Sequence, residues 1–398
     1  MKPSFKIGDI IQEEWLHIFK DKRLIGILFI IPIFYTALFG YLYSNHQVTN
    51  IKTVIFDGDQ TEFSRKIIQG FAESEAFEII GQAYGEPEVN QWIERGEAKV
   101  GVIIPPDFSA RIKHGENVPI LTMIDGSNML FSNTATRAAN HIVSTFSYGV
   151  SANKLSQQGW HEEQVHSTFQ SIPFRTRILY NPTFNYSHFL LFGLMGAILQ
   201  QVLLLGIALT VTREKEKGTW GRYSEWRTAP WKVAYAKTAP YFLIGIFNHL
   251  TVLGLGLYLF QLPFRGTLFS VLALSVCFVF ALSGIGYLAS LFSPNQVQAT
   301  QTTMLIAVPS FLLSGFSWPF DAMPDALVIA GHGLPLTYFL DGVREIFIKG
   351  HGFGMIQQDC LVLLLMGFIC YFAAWLITPM QFKHKVRGEE NIFPGTSS

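Results

Sequence analysis

The chain has 398 residues, of which 49% are hydrophobic and only 15% are charged, and its formal net charge is zero. A soluble chain usually carries about a quarter charged residues, so this composition argues against a soluble globular protein. The zero net charge gives no reason to expect nucleic acid as a partner. The three cysteines, Cys277, Cys360 and Cys370, lie in or beside apolar stretches, so we expect neither a disulfide framework nor a zinc site.

Six stretches contain no Asp, Glu, Lys or Arg and are long enough to cross a bilayer, which takes roughly 20 apolar residues. They cover residues 24–43, 188–211, 238–260, 266–292, 296–316 and 360–382. A soluble all-helical core is disfavoured, because soluble helices rarely run this long without a charged face. The sequence therefore predicts an α-helical membrane protein with six transmembrane helices.

Basic residues flank these spans at three places that would share one side of the membrane. They are Lys20, Lys22 and Arg23 before the first span, Arg213, Lys215, Lys217, Arg222, Arg227, Lys232 and Lys237 after the second, and Lys383, Lys385 and Arg387 after the last. Positive residues mark the cytoplasmic side, so both termini are expected inside. The predicted segments are a cytoplasmic start (1–23), helix 1 (24–43), an extracytoplasmic domain (44–186), helices 2–6 (187–382) and a cytoplasmic tail (383–398).

Short strands and helices alternate within the predicted outer domain. Apolar, β-branched runs predict strands at 51–56, 76–80, 99–104 and 119–124, and helical spacing predicts helices at 61–73, 87–95, 106–114 and 127–158. This order favours a small mixed α/β layer. We interpret Asp57, Asp59 and Asp125 as turn residues after strands rather than a metal or catalytic cluster. His161 and His166 are interpreted as surface residues, and no catalytic motif is present.

The predicted spans hold no Asp, Glu, Lys or Arg, although ion- and proton-coupled carriers usually need ionisable groups at membrane depth. This argues against a proton-driven antiporter. Polar residues do occur there, and the foremost are Gln200, Asn248, Gln301 and Thr302. We expect these to bond across helices, with lining of a substrate path as the sharper alternative. The chain also lacks a Gly-x-x-x-x-Gly-Lys-Ser/Thr phosphate loop, so the energy for active transport must come from another protein.

Residues 213–237 form a charged segment between the second and third predicted spans. Glu and Lys alternate at its start, a Gly-Thr pair interrupts it, and Trp220, Tyr223 and Trp226 recur at three-residue steps. A short amphipathic helix of this kind can lie in a groove on a partner protein. It can equally be an interfacial helix anchored by its aromatic and basic residues.

Residues 318–350 follow a break in the fifth predicted span. Ser314-Gly315 and Trp318-Pro319 interrupt the helix, and the next stretch mixes apolar residues with Pro, Gly and single charges. Such a piece enters a bilayer only where it is buried in protein or lines a cavity. We therefore expect a re-entrant segment at the outer membrane face.

These motifs resemble the type 2 ABC transporter permeases, which share their fold with the G-type ABC exporters. A Glu-x-Glu-x-Gly-Thr pattern lies at residues 214–219, a Ser-Gly-Phe-x-Trp-Pro-Phe-x-x-Met-Pro pattern at 314–324, and a Pro-x-Thr-Tyr-Phe-Leu-Asp-Gly-x-Arg pattern at 335–344. The chain departs from the family at Trp220, Gly221 and Arg222, where members commonly have apolar residues. This departure bears on which partner the segment recognises.

The resemblance implies the permease subunit of an ATP-driven exporter in a bacterial inner membrane. It would move a hydrophobic or amphipathic substrate, drug-like or lipid-like, out of the cytoplasm or inner leaflet. A second permease subunit, identical or paralogous, and two ABC ATPase subunits would complete the complex. ATP and Mg would bind the ATPases, so this chain would be no enzyme and hold no cofactor or metal. The drug-export branch often pairs with a periplasmic membrane-fusion adaptor.

The resemblance also assigns candidate site residues. The ATPase-coupling residues would be Arg213, Glu214, Glu216, Gly218, Thr219, Trp220, Trp226, Pro230 and Lys237. The outer re-entrant gate would comprise Ser314, Gly315, Trp318, Pro319, Met323, Pro324, Pro335, Asp341 and Arg344. The alternative reading is a membrane-anchored receptor or secretion scaffold that acts through its outer domain, and it predicts that the 213–237 loop tolerates substitution. An intramembrane enzyme is disfavoured, because the spans lack ionisable residues and a His/Cys pair.

Overall fold

The computed structural model describes residues 6–44, 48–157, 177–182, 185–226 and 229–390. The chain forms two compact units, one from Met1–His46 and Leu179–Ser398, the other from Gln47–Ile178. His161, His166 and Arg227 lie outside the described residues, as do residues 391–398 of the predicted tail.

The first unit begins with an amphipathic helix, α1 (Ile7–Lys20), followed by α2 (Lys22–Leu42). Asp21 caps α2, because its carboxylate accepts from the backbone N–H of Arg23 at 2.9 Å. The stretch Gly26–Ile30 within α2 is π-helical. There the Leu28 carbonyl accepts a hydrogen bond from Asn248 Nδ2 at 2.6 Å, which is the cross-helix bond that we expected for Asn248.

The second unit is built on a four-stranded mixed sheet. The strands are β1 (Ile51–Asp57), β2 (Phe77–Gln82), β3 (Val100–Ile104) and β4 (Leu121–Ile124), in the spatial order β2-β1-β3-β4. β1 runs parallel to both β2 and β3, whereas β4 runs antiparallel to β3. All four strands were predicted within two residues, because each is a short apolar run bounded by turn residues.

Helices cover both faces of this sheet. They are α3 (Glu62–Ala72), α4 (Glu86–Glu94), α5 (Phe108–Lys113) and α6 (Met129–Gln157). One core contains Ile55, Phe71 and Ala135, and a separate core contains Val54 and Val89. Strand β3 is buried along its whole length, as expected for a strand with both faces covered.

Two of the three aspartates that were interpreted as turn residues, Asp57 and Asp125, hold turns. Asp57 Oδ1 accepts from the backbone N–H groups of Asp59 and Gln60, at 3.1 and 2.9 Å. Asp125 accepts from the Ser127 N–H at 2.9 Å and pairs with Lys99 at 2.7 Å. The Lys99 ammonium and the bonds from Ser127 hold the pKa of Asp125 below its ordinary value. These contacts agree with the turn interpretation for Asp57 and Asp125. Asp59 differs, because its Oδ1 accepts from the backbone N–H of Ser109 at 3.1 Å and so ties the turn after β1 to the start of α5.

The first unit continues with long helices. They are α7 (Tyr186–Glu216), α8 (Pro230–Leu259), α9 (Leu268–Phe292), α10 (Gln296–Leu313), and, after two short helices, a final one (Phe353–Glu390). Among the described residues, five helices are long and apolar enough to span a membrane, or six if one bent pair counts as a span. Helix α10 is not among the five, because three glutamines and three threonines make it more polar.

The bent pair consists of α11 (Asp325–His332) and α12 (Pro335–Val343), which continues as a π-helical turn, Arg344–Lys349. The two arms meet at 83°. The Thr337 hydroxyl donates to the Gly331 carbonyl at 2.7 Å, and the Tyr338 hydroxyl donates to the His332 carbonyl at 2.9 Å. These bonds fix the bend. The final helix, Phe353–Glu390, is α13.

Gly331 sets the distance between α11 and α10. A Cβ atom at this glycine would lie 2.3 Å from the backbone carbonyl oxygen of Leu313. Because a backbone atom cannot move aside as a side chain can, Gly331→Ala should cost about 1–3 kcal/mol of stability. The measurement is thermal denaturation of the purified chain in detergent.

The control for this variant is Gly254→Ala in α8, where a Cβ atom would meet nothing within 4 Å. Its denaturation temperature should match that of the wild type or exceed it, since alanine favours a helix more than glycine does. Equal denaturation temperatures for the two variants would contradict the close approach of α11 and α10.

Candidate functional site

A network of charged side chains joins α1, α7 and α8 to the segment between α7 and α8. Its members are Glu13, Glu14, Arg213, Glu214, Arg222 and Lys237. At its centre, Glu14 accepts from Arg213 Nη2 at 2.7 Å and from Lys237 Nζ at 2.5 Å. Glu14 and Lys237 are both 0% exposed. Three carboxylates face three cations, so the charges within the network balance.

The outer part of the network is built around Glu214. Its Oε1 accepts from Lys237 Nζ at 2.9 Å and from Arg222 Nη2 at 3.1 Å. Arg222 also donates to Glu13 at 2.6 Å. Burial and then the nearby Arg213 lower the pKa of His17, so its ring is neutral near pH 7 and adds no charge to the network.

Helix α7 ends in a backbone motif that requires glycine. The N–H of Gly218 donates to the Lys215 carbonyl, and the N–H of Thr219 donates to the Glu214 carbonyl. These are, in that order, the 5→2 and the 6→1 hydrogen bond of a Schellman cap. Gly218 has φ = 72°, a left-handed conformation that favours glycine. The Thr219 hydroxyl then donates a hydrogen bond to the Glu214 carboxylate. The Gly-Thr pair thus ends the helix and closes the network.

The segment after this cap is a 3-10 helix, Trp220–Trp226. A 3-10 helix has three residues per turn, so aromatic residues at three-residue steps fall on one face. Trp220 and Tyr223 are buried and contact each other edge-to-face at 5.5 Å. Ser224 and Glu225 are exposed on the other side. The aromatic face therefore packs against the same chain, and the polar face is open to a partner.

Glu214 and Glu216 lie on opposite faces of α7, since residues two apart are about 200° apart around a helix. Glu214 points into the network, whereas Glu216 is exposed. Glu216 Oε1 accepts from the backbone N–H of Gln296 at 2.7 Å, and its Oε2 accepts from the Gln296 amide. The end of α7 is therefore tied to the start of α10, and the exposed surface at this end is Glu216, Lys217 and Gly218.

The predicted coupling residues thus differ in burial. Arg213, Glu214, Trp220, Pro230 and Lys237 are buried, Trp226 is half-buried, and Glu216, Gly218 and Thr219 are exposed. Glu13 and Glu14 were not among the residues predicted from the sequence. A pattern for Glu14 was present, because it lies on the apolar stripe of α1 between Ile10 and Ile18, each four residues away.

The predicted outer gate residues lie around the bent pair. Ser314 and Gly315 end α10, with Gly315 at φ = 73°. Pro319, Pro324 and Pro335 each stand at the start of a helical element. Trp318 Nε1 donates to the Ala322 carbonyl at 3.2 Å, and Met323 is half-buried nearby. The Arg344 guanidinium lies 4.9 Å from the Phe316 ring centroid and 3.9 Å from Asp341.

The candidate path residues divide between interior and surface. Gln200 and Asn248 are buried within the helical unit. Gln301 and Thr302 are exposed on α10. The opposite face of α10, with Ala299, Thr303, Ala307 and Ser310, is buried.

One group in the described part of the chain brings metal-ligand atoms together. Donor atoms of Glu13, His17 and Glu214 lie within 4.8 Å of one another. Both carboxylates already bond cations, since Glu13 pairs with Arg222 and Glu214 pairs with Arg222 and Lys237. We therefore assign the two glutamates to the ion-pair network rather than to a metal site.

Comparison with known proteins gives consistent matches. Residues 22–376 match the family model described as ABC-2 family transporter protein. The chain is 26% identical over 381 residues to the probable multidrug ABC transporter permease YbhR of Escherichia coli K12, which covers 96% of this chain and 99% of the relative. It is 25% identical to the probable multidrug ABC transporter permease YbhS of the same organism (72% and 74% covered). It is 23% identical to its inner membrane transport permease YhhJ (79% and 81%).

Glu14→Gln should lower stability by about 3–5 kcal/mol, because Arg213 would lose the carboxylate that it pairs with and the buried network would keep three cations for two anions. Adding Lys237→Met should recover part of this loss, since the second change removes the excess positive charge. Thermal denaturation of the purified chain in detergent measures both effects.

The matched control is Glu62→Gln, which breaks the exposed Lys66–Glu62 pair on α3. Exposed pairs contribute about 0–1 kcal/mol, so this variant should denature close to the wild type. If Glu14→Gln were as mild as Glu62→Gln, the buried network would not be an essential part of the structure.

Proposed function

The chain belongs to the ABC-2 family transporter proteins, and we propose that it is the permease subunit of an ATP-driven exporter whose ATPase is a separate polypeptide. In this proposal six helices, including α10, span a bacterial inner membrane with both termini in the cytoplasm. The α/β unit lies on the outer side. Relatives named as multidrug permeases support a hydrophobic or amphipathic substrate, drug-like or lipid-like.

The observation that carries this proposal is the exposed end of α7 fixed on a buried ion-pair network. Glu216, Lys217 and Gly218 are open to a partner, while Glu214, two residues earlier, is bonded to Lys237 and Arg222. A force applied to this end by an ATPase would reach α1 and α8 through the network and α10 through the Glu216–Gln296 bonds. The buried aromatic residues of the 3-10 helix would support this surface from behind.

Helix α10 supports the presence of a second permease subunit. Its exposed face combines Leu305, which is 77% exposed, with Gln298, Gln301 and Thr302. Amide side chains are costly in contact with hydrocarbon. We propose that this face meets the corresponding face of a second permease, and that Gln301 and Thr302 line the path between them. The bent pair α11–α12 would close the outer end of that path.

The first test is affinity purification of the tagged chain from native membranes in mild detergent, followed by identification of co-purifying proteins and an ATPase assay. We expect a P-loop ATPase in stoichiometric amount. Recovery of the chain alone, under conditions that keep other transporters intact, would instead favour a membrane-anchored receptor or scaffold.

Glu216→Ala should reduce the co-purified ATPase activity by about tenfold, the factor that corresponds to ~1.4 kcal/mol at a contact residue. Gln296→Ala is the control, because it removes the side-chain bond to Glu216 and leaves the carboxylate available to the partner. This control should keep most of the activity. Equal losses would show that Glu216 acts by holding α10 rather than by contacting the ATPase.

Oxidative cross-linking tests the second subunit. In a chain carrying Cys370→Ser, Leu305→Cys should form a disulfide-linked permease pair, because Leu305 points away from its own unit. The native Cys277 and Cys360 are buried and stay in place. Leu365→Cys on α13 is the control and should remain unlinked. Linkage at residue 365 and not at residue 305 would place the partner on α13 and contradict the α10 interface.

A further inference from the structure

A groove lies between α8 and α13 on the surface of the helical unit, and no residue of the ion-pair network lines it. Its volume is about 660 Å³, and its walls are almost entirely apolar. The residues that line it include the aromatic side chains Trp231, Tyr235, Phe242, Phe280, Phe368, Tyr371 and Trp375. The Tyr371 hydroxyl donates to Thr238 Oγ1 at 3.1 Å, so these two polar side chains of the groove bond each other.

The groove extends along about one leaflet of a bilayer. On α8 it runs from Trp231 to Leu243, which is about 18 Å at the rise of an α-helix. Half of the hydrocarbon thickness of a bilayer is ~15 Å. Trp231 is the second residue of α8, and Trp375 lies near the end of the apolar part of α13. Tryptophan at such positions marks the membrane–water interface, so the groove opens at one interface and ends near the midplane.

The ammonium group of Lys232 lies at the interfacial end of the groove. Lys232 Nζ lies 5.9 Å from the ring centroid of Trp231, which lines the groove, and 5.8 Å from that of Trp226. Within the described ranges, Lys232 pairs with no carboxylate, in contrast to the nearby Lys237. A lysine beside interfacial tryptophans is suited to a phosphate group, and the apolar walls below it are suited to hydrocarbon.

We propose that this groove binds one anionic phospholipid, with an acyl chain between α8 and α13 and the headgroup phosphate against Lys232. The length of the groove, its apolar aromatic walls and the lysine at its interfacial end, which pairs with no carboxylate in the described part of the chain, together match such an amphiphile. A second copy of the chain would make no use of the Lys232 cation, and we have proposed the polar face of α10 as the contact with a second permease. The proposal requires only that the chain spans a membrane, so it stands apart from the ATPase partnership.

Native mass spectrometry of the purified full chain tests this proposal, with palmitoyl-oleoyl phosphatidylglycerol and palmitoyl-oleoyl phosphatidylcholine offered in equal amounts. The wild type should retain the anionic lipid about fivefold more often, the factor expected for one basic side chain near the headgroup. Lys232→Gln should reduce this ratio towards one. Lys22→Gln, at an exposed lysine at the start of α2, is the control and should keep the ratio.

Filling the groove tests the acyl-chain contact. Ala239→Trp places a ring in the groove and should abolish the retained lipid, and Ala239→Leu should reduce it by less. Ile369→Trp, on the same α13 but outside the groove and 66% exposed, should retain the lipid. Because leucine adds less volume than tryptophan, a graded loss from Leu to Trp would show that the loss follows filling of the groove.

Three results would overturn the proposal. The first is undiminished lipid retention in Ala239→Trp, and the second is a lipid preference that Lys232→Gln leaves unchanged. The third is a change of oligomeric state in Ala239→Trp with the lipid still bound, which would assign the groove to a second copy of the chain. Co-purification of the ATPase is measured separately, so failure of this proposal would not be confused with failure of the transport proposal.

Discussion

The buried pairing of Glu14 with Lys237 and Arg213 constrains the rest of the helical unit. A charge that is removed from water is tolerated only beside an opposite charge with good hydrogen-bond geometry. Glu14 and Lys237 are both fully buried, so neither helix can leave without stranding the charge of the other. The N-terminal helix α1 is therefore a structural part of the unit that holds α7 and α8, although its composition alone would suit a helix lying loosely on a membrane surface.

The same constraint explains the order of residues in the Glu-x-Glu-x-Gly-Thr motif. The first glutamate faces inward to Lys237 and Arg222, and the second faces outward to Gln296 and the solvent. The glycine adopts the left-handed conformation that ends α7, which turns the chain so that the threonine hydroxyl reaches the first glutamate. Each position has a distinct task, and the alternation of inward and outward acids follows from the geometry of a helix end.

The sequence predicted those structural features that depend on residues close together in the chain. The strands and helices of the α/β unit follow from short-range patterns, and the long apolar helices follow from hydropathy. The ion-pair network could not be read in this way, because Glu14 meets Arg213 and Lys237 across 199 and 223 residues. The three-residue spacing of Trp220, Tyr223 and Trp226 was noted from the sequence but was not interpreted as the period of a 3-10 helix. Whether these aromatic residues face a partner protein was left open. In the structure, Trp220 and Tyr223 are buried within the chain.

The exposed surface of the helical unit has two kinds of face, which differ in polarity. Helix α13 exposes Leu365, Phe368 and Phe372, which are compatible with lipid on all sides. Helix α10 exposes Gln298, Gln301 and Thr302, each of which needs a hydrogen-bond partner that hydrocarbon lacks. The same polarity keeps α10 out of the five helices that are apolar enough to span a membrane, and it indicates what would cover this helix in a bilayer. A face of this composition is stable in a bilayer only against water or another protein, which a central path between two permease subunits would supply together.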